Sequence, residues 1–225
     1  MKILAIDTAT EQCSVALRDN AKTVTRSFLS ARGHADRLLP MIDEVLSEAG
    51  LRVGELSALA FGRGPGAFTG VRIATAAVQG LATGAGLPVI GISDLAAIAQ
   101  QHARTGASVL ACMDARMGEV YWAVFGFDEQ GRCCALTPER VTSPETVVAD
   151  LAARRDLPSL AAGSGLAAYP QLRAAFATLQ IDDKALPHAL QIAELAAVEF
   201  LAGRAGTARD AAPSYIRNRV VSQPG

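Results

Sequence analysis

The chain has 225 residues; half are apolar, 19% are charged and 5% are aromatic, and the formal net charge is −1. That balance excludes a disordered chain, which lacks the apolar content to bury a core, and a surface cationic enough overall to coat nucleic acid or an anionic membrane. No segment reaches the ~20 apolar residues of a membrane span, and the opening apolar run of MKILAIDTAT stops at Asp7, too short for a secretory signal, so a cytoplasmic protein with no membrane contact is expected.

In chain order, KILAID reads as a buried strand, followed by SVALRD and TVTRSFLS as half-exposed strands joined at an Asp19-Asn20 turn. From His34 to Gly50 the period changes. Ala35, Leu38, Leu39, Ile42, Val45, Leu46 and Ala49 form one apolar helical stripe. Pro40 should start that helix late or bend it, and Gly50 suits its C-terminal cap. SALAFG is a strand, Thr69 to Ala85 a helix with Thr69 as its N-cap, PVIGI a strand and Asp94 to Ala103 a helix.

The second half repeats the order. SVLACMD, EVYWAVFGF and CCALTPERV are three strands in succession. Ser143-Pro144-Glu145 starts a helix with a capping serine and proline at its first position. SLAAG is a strand, Leu166 to Leu179 a helix, Ile181 to Ala185 a weak strand and His188 to Leu201 a helix. The chain therefore reads as α/β, two βββαβαβα subdomains spanning 1–105 and 106–225 with a cleft between them. None of Cys13, Cys112, Cys133 and Cys134 forms a C-x-x-C pair, which fits reduced thiols.

FGRGPGAFTGVRIA, residues 61–74, places four glycines within nine residues between a strand and a helix. A Walker loop needs a lysine that is absent, and the dinucleotide pattern fails at Thr69. Spacing favours a tight turn with a cap over a phosphate cradle. The following helix carries one charge, Arg72, up to Gly86; a helix apolar all round is buried on more than one side, by the His34–Gly50 helix or by another chain.

Asp7, Thr8 and Thr10 could hold hydrated Mg²⁺ and phosphate or close a turn. Gly163 and Gly165, flanking Ser164, could admit an adenine-like group or form only a turn. His34, His102 and His188 are too far apart in sequence for a histidine zinc motif. Asp114 to Glu119 reads as a charged corner, either a salt bridge or a partner contact. Arg204, Arg209, Arg217 and Arg219 around Tyr215 read as a solvated basic tail, with RNA contact as the alternative.

ILAIDTAT, HADRLLPMI, FGRGPGAFTGVRIA, LPVIGISDLAAIA, MDARMGEVY and PSYIRNR together closely resemble the bacterial TsaB (YeaZ) proteins across nearly the whole chain. The resemblance implies the duplicated actin-like/Hsp70-like ATPase fold (ASKHA, RNase H-like). It implies a role in forming tRNA N6-threonylcarbamoyladenosine, bound to the catalytic subunit TsaD with TsaE as the ATPase partner. TsaB-like proteins pair through helices matching 38–46 and 71–81, with themselves when alone. His34, Leu38, Leu39, Ile42, Leu46, Val71, Ala74, Val78 and Leu81 are the expected pairing residues. TsaD-type proteins carry a metal-binding H-x-x-x-H after the strand matching PVIGI, and Asp94 and Ile98 stand at those positions here. Isoleucine cannot ligate a metal.

The expectation is thus a non-catalytic scaffold subunit that activates TsaD and helps recruit TsaE, with tRNA reached only through the complex. No metal site is expected, and ATP or ADP with Mg only as a vestigial or subunit-shared site at Asp7, Thr8, Thr10, Gly163 and Gly165. The rivals are an active nucleotide-dependent enzyme or a glycoprotease-like peptidase, and an RNA-binding module resting on the tail.

Overall fold

KILAID is apolar on both faces, so its strand belongs in the middle of a sheet with a layer on each side. The computed structural model, which describes residues 1–217 apart from Ala21, Thr105 and Arg155, places it there. β1 (Lys2–Asp7) pairs antiparallel with β2 (Gln12–Asp19), which pairs with β3 (Lys22–Leu29). Asn20 turns the β2–β3 hairpin with φ 53. α1 (His34–Ala49) follows, closed by Gly50 at φ 66. β4 (Ala58–Gly62) lies parallel to β1, α2 (Phe68–Ala85) returns, β5 (Val89–Ile92) lies parallel to β4, and α3 (Asp94–Gln100) ends the half. The sheet order is β3-β2-β1-β4-β5.

The second half repeats it. β6 (Ser108–Arg116) and β7 (Glu119–Phe127) form a hairpin; β8 (Cys133–Ala135) and β9 (Arg140–Thr142) both pair with β7. Then come α4 (Pro144–Ala152), β10 (Leu160–Ala162), α5 (Ser164–Ala168), α6 (Pro170–Ala175), β11 (Gln180–Asp182) and α7 (Ala189–Leu201). Read from its other edge, β8-β7-β6-β10-β11, the second sheet matches the first strand for strand. This is the duplicated actin-like α/β fold that the sequence reading expects.

Four local readings are corrected. α1 starts at His34 despite Pro40; the carbonyl that Pro40 cannot serve belongs to Asp36, which is exposed to water. Thr69 is not the cap of α2: Ala67 is, without a side-chain bond. CCALTPERV is two short strands rather than one, divided around Pro138. The helix expected over 166–179 starts at Ser164 and breaks at Tyr169, held extended by Pro170.

The last helix of each half crosses over. α7 packs on the first sheet: Ala189, Ile192, Ala193 and Ala196 meet Ile3, Ala5, Ala58, Ala60 and Ile90. Conversely, Leu95, Ile98 and Ala99 of α3 meet Val109, Ala111, Met113 and Phe125 of the second sheet. Alanines on both sides let α7 lie close, which is how a core poor in aromatics is filled. Ser14 fixes the entry of α7 by accepting the Ala189 N–H at 2.9 Å. α1 and α2 cover the other face of the first sheet, and α4 to α6 that of the second.

The C-terminal segment then runs back across both halves. The Ala211 carbonyl accepts from Gln79 Nε2 of α2 at 2.7 Å, and the Ser214 N–H donates to the Arg63 carbonyl at 2.6 Å. Arg217 reaches the β6–β7 turn, where it pairs with Glu119.

Because the halves share α3 and α7, damage to one should be felt in the other. Ile192→Ala is expected to cost about 2–5 kcal/mol. Trp122, the lone tryptophan, sits in the second sheet. Its fluorescence in a urea titration should report that loss in one transition, although Ile192 lines the first sheet. An unmoved Trp122 transition would contradict the shared core.

Candidate functional site

β1, β4 and β5 are parallel, so their carboxyl ends emerge at one edge, where open α/β sheets build sites. Asp7 ends β1, Gly62 ends β4 and Asp94 opens α3 just after β5. Both aspartates are fully buried. Asp7 Oδ1 accepts the Ala9 N–H at 2.8 Å and Asp94 Oδ2 accepts the Gly64 N–H at 2.5 Å. The carboxyls meet over Gly62: a Cβ there would lie 2.4 Å from Asp94 Oδ1 and 2.8 Å from Asp7 Oδ1. Asp7 Oδ2 and Asp94 Oδ1 have no hydrogen-bond partner among the described residues.

Burial pushes the Asp7 carboxyl up to about 7. Burial first, and then the neighbouring Asp7 charge, hold Asp94 well above the usual carboxylate range. Two buried carboxyls facing each other oppose ionising together, so at least one is held protonated to higher pH than a free carboxyl. No third His, Cys, Asp or Glu completes a metal-binding group among the described residues.

Three glycines of 61–74, Gly64, Gly66 and Gly70, are spent on the chain's own backbone. A Cβ on Gly66 would lie 2.6 Å from the Ala9 carbonyl oxygen, and one on Gly70 2.0 Å from that of Thr8. Thr8 is buried; its hydroxyl donates to the Gly70 carbonyl at 2.7 Å and accepts the Ala74 N–H at 3.1 Å. Thr10 Oγ1 accepts the Gln12 N–H at 3.2 Å, and the Thr10 carbonyl accepts from His34 Nε2 at 2.9 Å. In the second half, a Cβ on Gly163 would lie 2.0 Å from the Cys112 carbonyl oxygen and one on Gly165 2.9 Å from Val120. Within the chain, the side chains and glycines expected to form a Mg-nucleotide cleft are engaged in internal contacts, so these residues do not by themselves fit that group.

The helix faces also differ from expectation. His34, Leu38, Ile42, Leu46, Val71, Ala74 and Val78 are buried within the subunit, and Leu38, Ile42, Leu46, Ala74 and Val78 share one core with Leu4, Ile6, Val15 and Leu59. They cannot present side chains to a partner. Of the expected pairing residues, only Leu39, 58% exposed, and the half-buried Leu81 reach the surface. The open face of α2 is instead Thr69, Arg72, Ala76, Gly80, Thr83 and Gly84. The apolar pattern hid this division, because small residues occupy both faces of α2.

The remaining sequence candidates are mostly engaged internally. His102 lies 3.3 Å from Asp182 without hydrogen-bond geometry, and His188 caps α7 by accepting the Leu190 N–H at 3.0 Å. At the charged corner Asp114 pairs with Arg116 at 2.9 Å, while Glu119 takes Arg217. Arg204 pairs with Glu199, Arg209 is exposed, and Arg219 lies outside the described residues. All four cysteines are free, and burial pushes the Cys13 and Cys112 thiols up to about 12.

Sequence reasoning singles out Asp7 and Asp94 separately and does not join them; parallel pairing of β1, β4 and β5 is the signal that does. A carboxyl raised in the folded state favours folding while protonated. That stability is present in full below the ordinary value of 3.8 and lost as pH rises through about 7. Asp94→Asn keeps an acceptor for Gly64 and gives Asp7 a donor. It should raise stability at pH 8 by about 1–3 kcal/mol and flatten the decline between pH 5 and 8, as followed by chemical denaturation. Gly70→Ala should act oppositely, lowering the melting temperature by several degrees through the clash with Thr8.

A family model described as TsaD, tRNA N6-adenosine threonylcarbamoyltransferase, matches residues 28–222. The Haemophilus influenzae protein named tRNA threonylcarbamoyladenosine biosynthesis protein TsaB is 42% identical over 98% of this chain and 95% of its own. Its Escherichia coli K12 namesake is also 42% identical, over 98% and 96%. Among solved structures, a Pseudomonas aeruginosa protein described as similar to peptidase YeaZ superposes with TM-score 0.84 at 40% identity, covering 96% of this chain and 99% of that one. YeaZ from Pseudomonas aeruginosa gives 0.81 at 37%, covering 95% and 99%. With its length, strand order and sequence matched almost end to end, the chain belongs to the TsaB (YeaZ) family of tRNA threonylcarbamoyladenosine biosynthesis proteins.

Proposed function

We propose that this chain is a non-catalytic subunit in threonylcarbamoyladenosine formation. It pairs with the transferase paralogue TsaD through the open face of α1 and α2, holds TsaD in a productive shape and helps recruit the ATPase TsaE. Alone, it pairs with itself.

The observation that carries this reading is the pair Gly80 and Gly84. Glycine costs about 1 kcal/mol relative to alanine inside a helix. Gly70 has a reason to be glycine in the backbone of Thr8, but a Cβ on Gly80 or Gly84 would meet nothing within 4 Å. Their smallness serves no contact within the chain and suits a helix arriving from outside, beside Ala76, Leu81 and Leu39. The positions matched to the paralogue's metal ligands support the non-catalytic part: Asp94 is locked against Asp7, and Ile98 is fully buried against the second sheet. A nucleotide shared at this end would have to draw phosphate donors from the partner.

Gly80→Arg separates pairing from folding. With open space around it, the substitution should leave the isolated chain as stable or raise it by up to about 1 kcal/mol, yet abolish pairing by burying an unpaired charge. Melting, light scattering and pull-down with TsaD read the two effects; intact pairing removes the proposed face. Reconstituted tRNA modification should stop in the same variant and without this chain.

A further inference from the structure

At the start of α2, where Arg72 lies on the open face, an exposed aromatic surface adjoins the proposed pairing residues Ala76, Gly80 and Gly84. Phe68, the first residue of α2, and Tyr215, from the C-terminal segment, are each 49% exposed, and Met117 on the β6–β7 turn is 63% exposed. The Phe68 and Tyr215 rings lie 5.9 Å apart, inclined by 36°. The Arg72 guanidinium sits 3.5 Å from the Phe68 ring centre and 5.6 Å from that of Tyr215. Its Nε donates to the Tyr215 hydroxyl at 2.8 Å.

No ion pair among the described residues includes Arg72. At the β6–β7 turn Arg116 pairs with Asp114, and Arg217 of the C-terminal segment pairs with Glu119. The island is therefore cationic on a chain whose formal net charge is −1, and its unspent charge is pinned between two open rings.

We infer that Phe68, Arg72 and Tyr215 form a direct contact for single-stranded RNA, the guanidinium taking a phosphate and a ring face taking an unstacked base. Exposed aromatics beside an unpaired arginine supply both things a splayed-out nucleotide needs. A carboxylate-bearing protein surface would meet the charge but leave the flat ring faces without a comparable partner. The inference rests on the chain's tRNA-modification family and on this geometry; it does not need the α1–α2 face to be the pairing surface.

The test is fluorescence anisotropy of a labelled tRNA anticodon stem-loop titrated with the full chain, alone and with TsaD, at two salt concentrations. Arg72→Gln should weaken binding roughly 5- to 100-fold and lower the salt slope by about one. Phe68→Ala should weaken it similarly with the slope kept, whereas Tyr215→Phe, which keeps the ring, should bind nearly as wild type. Melting and TsaD pull-down run in parallel. Loss of RNA affinity with pairing and melting unchanged supports the contact, whether or not Gly80→Arg behaves as proposed. Unchanged RNA affinity in Arg72→Gln and Phe68→Ala overturns it, as does loss of TsaD pairing with RNA affinity intact, which would make the island a protein contact.

Discussion

The start of α2 and the turn before it lie against the turn after β1 so closely that only glycine fits at Gly66 and Gly70. Thr8 is clasped between the Gly70 carbonyl and the Ala74 amide. Much of the first half's arrangement is tied to that contact. It accompanies β4 beside β1 and the glycine turn over the strand ends, and Asp94 enters against Asp7 with its carboxylate on the Gly64 amide. A glycine-rich strand-to-helix turn is commonly associated with phosphate; here the room that glycine creates is filled by the protein's own chain.

The proposed separation of chemistry from assembly is consistent with this packing. The edge where a parallel sheet would hold a ligand contains two buried, facing carboxyls, each accepting a backbone amide. What stays available is a face of small side chains on α2 and an aromatic island at its start. Read as contact surfaces, both fit the proposed role of a subunit working beside a catalytic relative.

Much of the fold was legible in sequence because periodicity reports burial directly. KILAID and SVALRD gave strands, the spacing from Leu38 to Ala49 gave a helix, and the doubled element order gave the repeat. Prolines caused most local departures: Pro138 and Pro170 divide elements that apolar content alone would continue, and Pro40 is tolerated because water can serve the carbonyl it strands. The site was less legible. Leu38, Val71, Ala74 and Val78 are apolar for an intrasubunit reason, and nothing in a pattern of alanines says which face meets the sheet. The Asp7–Asp94 contact joins residues 87 positions apart through strand pairing, which no local window contains.

The crossing helices have a consequence for biosynthesis. The inner face of the first sheet, Ile3, Ala5, Ala16, Ala58 and Ala60, is covered by α7, whose first residue is Ala189. On a ribosome, β1 to β5 emerge well before that helix exists. At about 5–20 residues per second the wait is on the order of ten seconds. Through that interval a greasy sheet surface stands bare, so the nascent polypeptide depends on chaperone shielding or on speed, and a premature stop just short of residue 189 would leave it permanently uncovered.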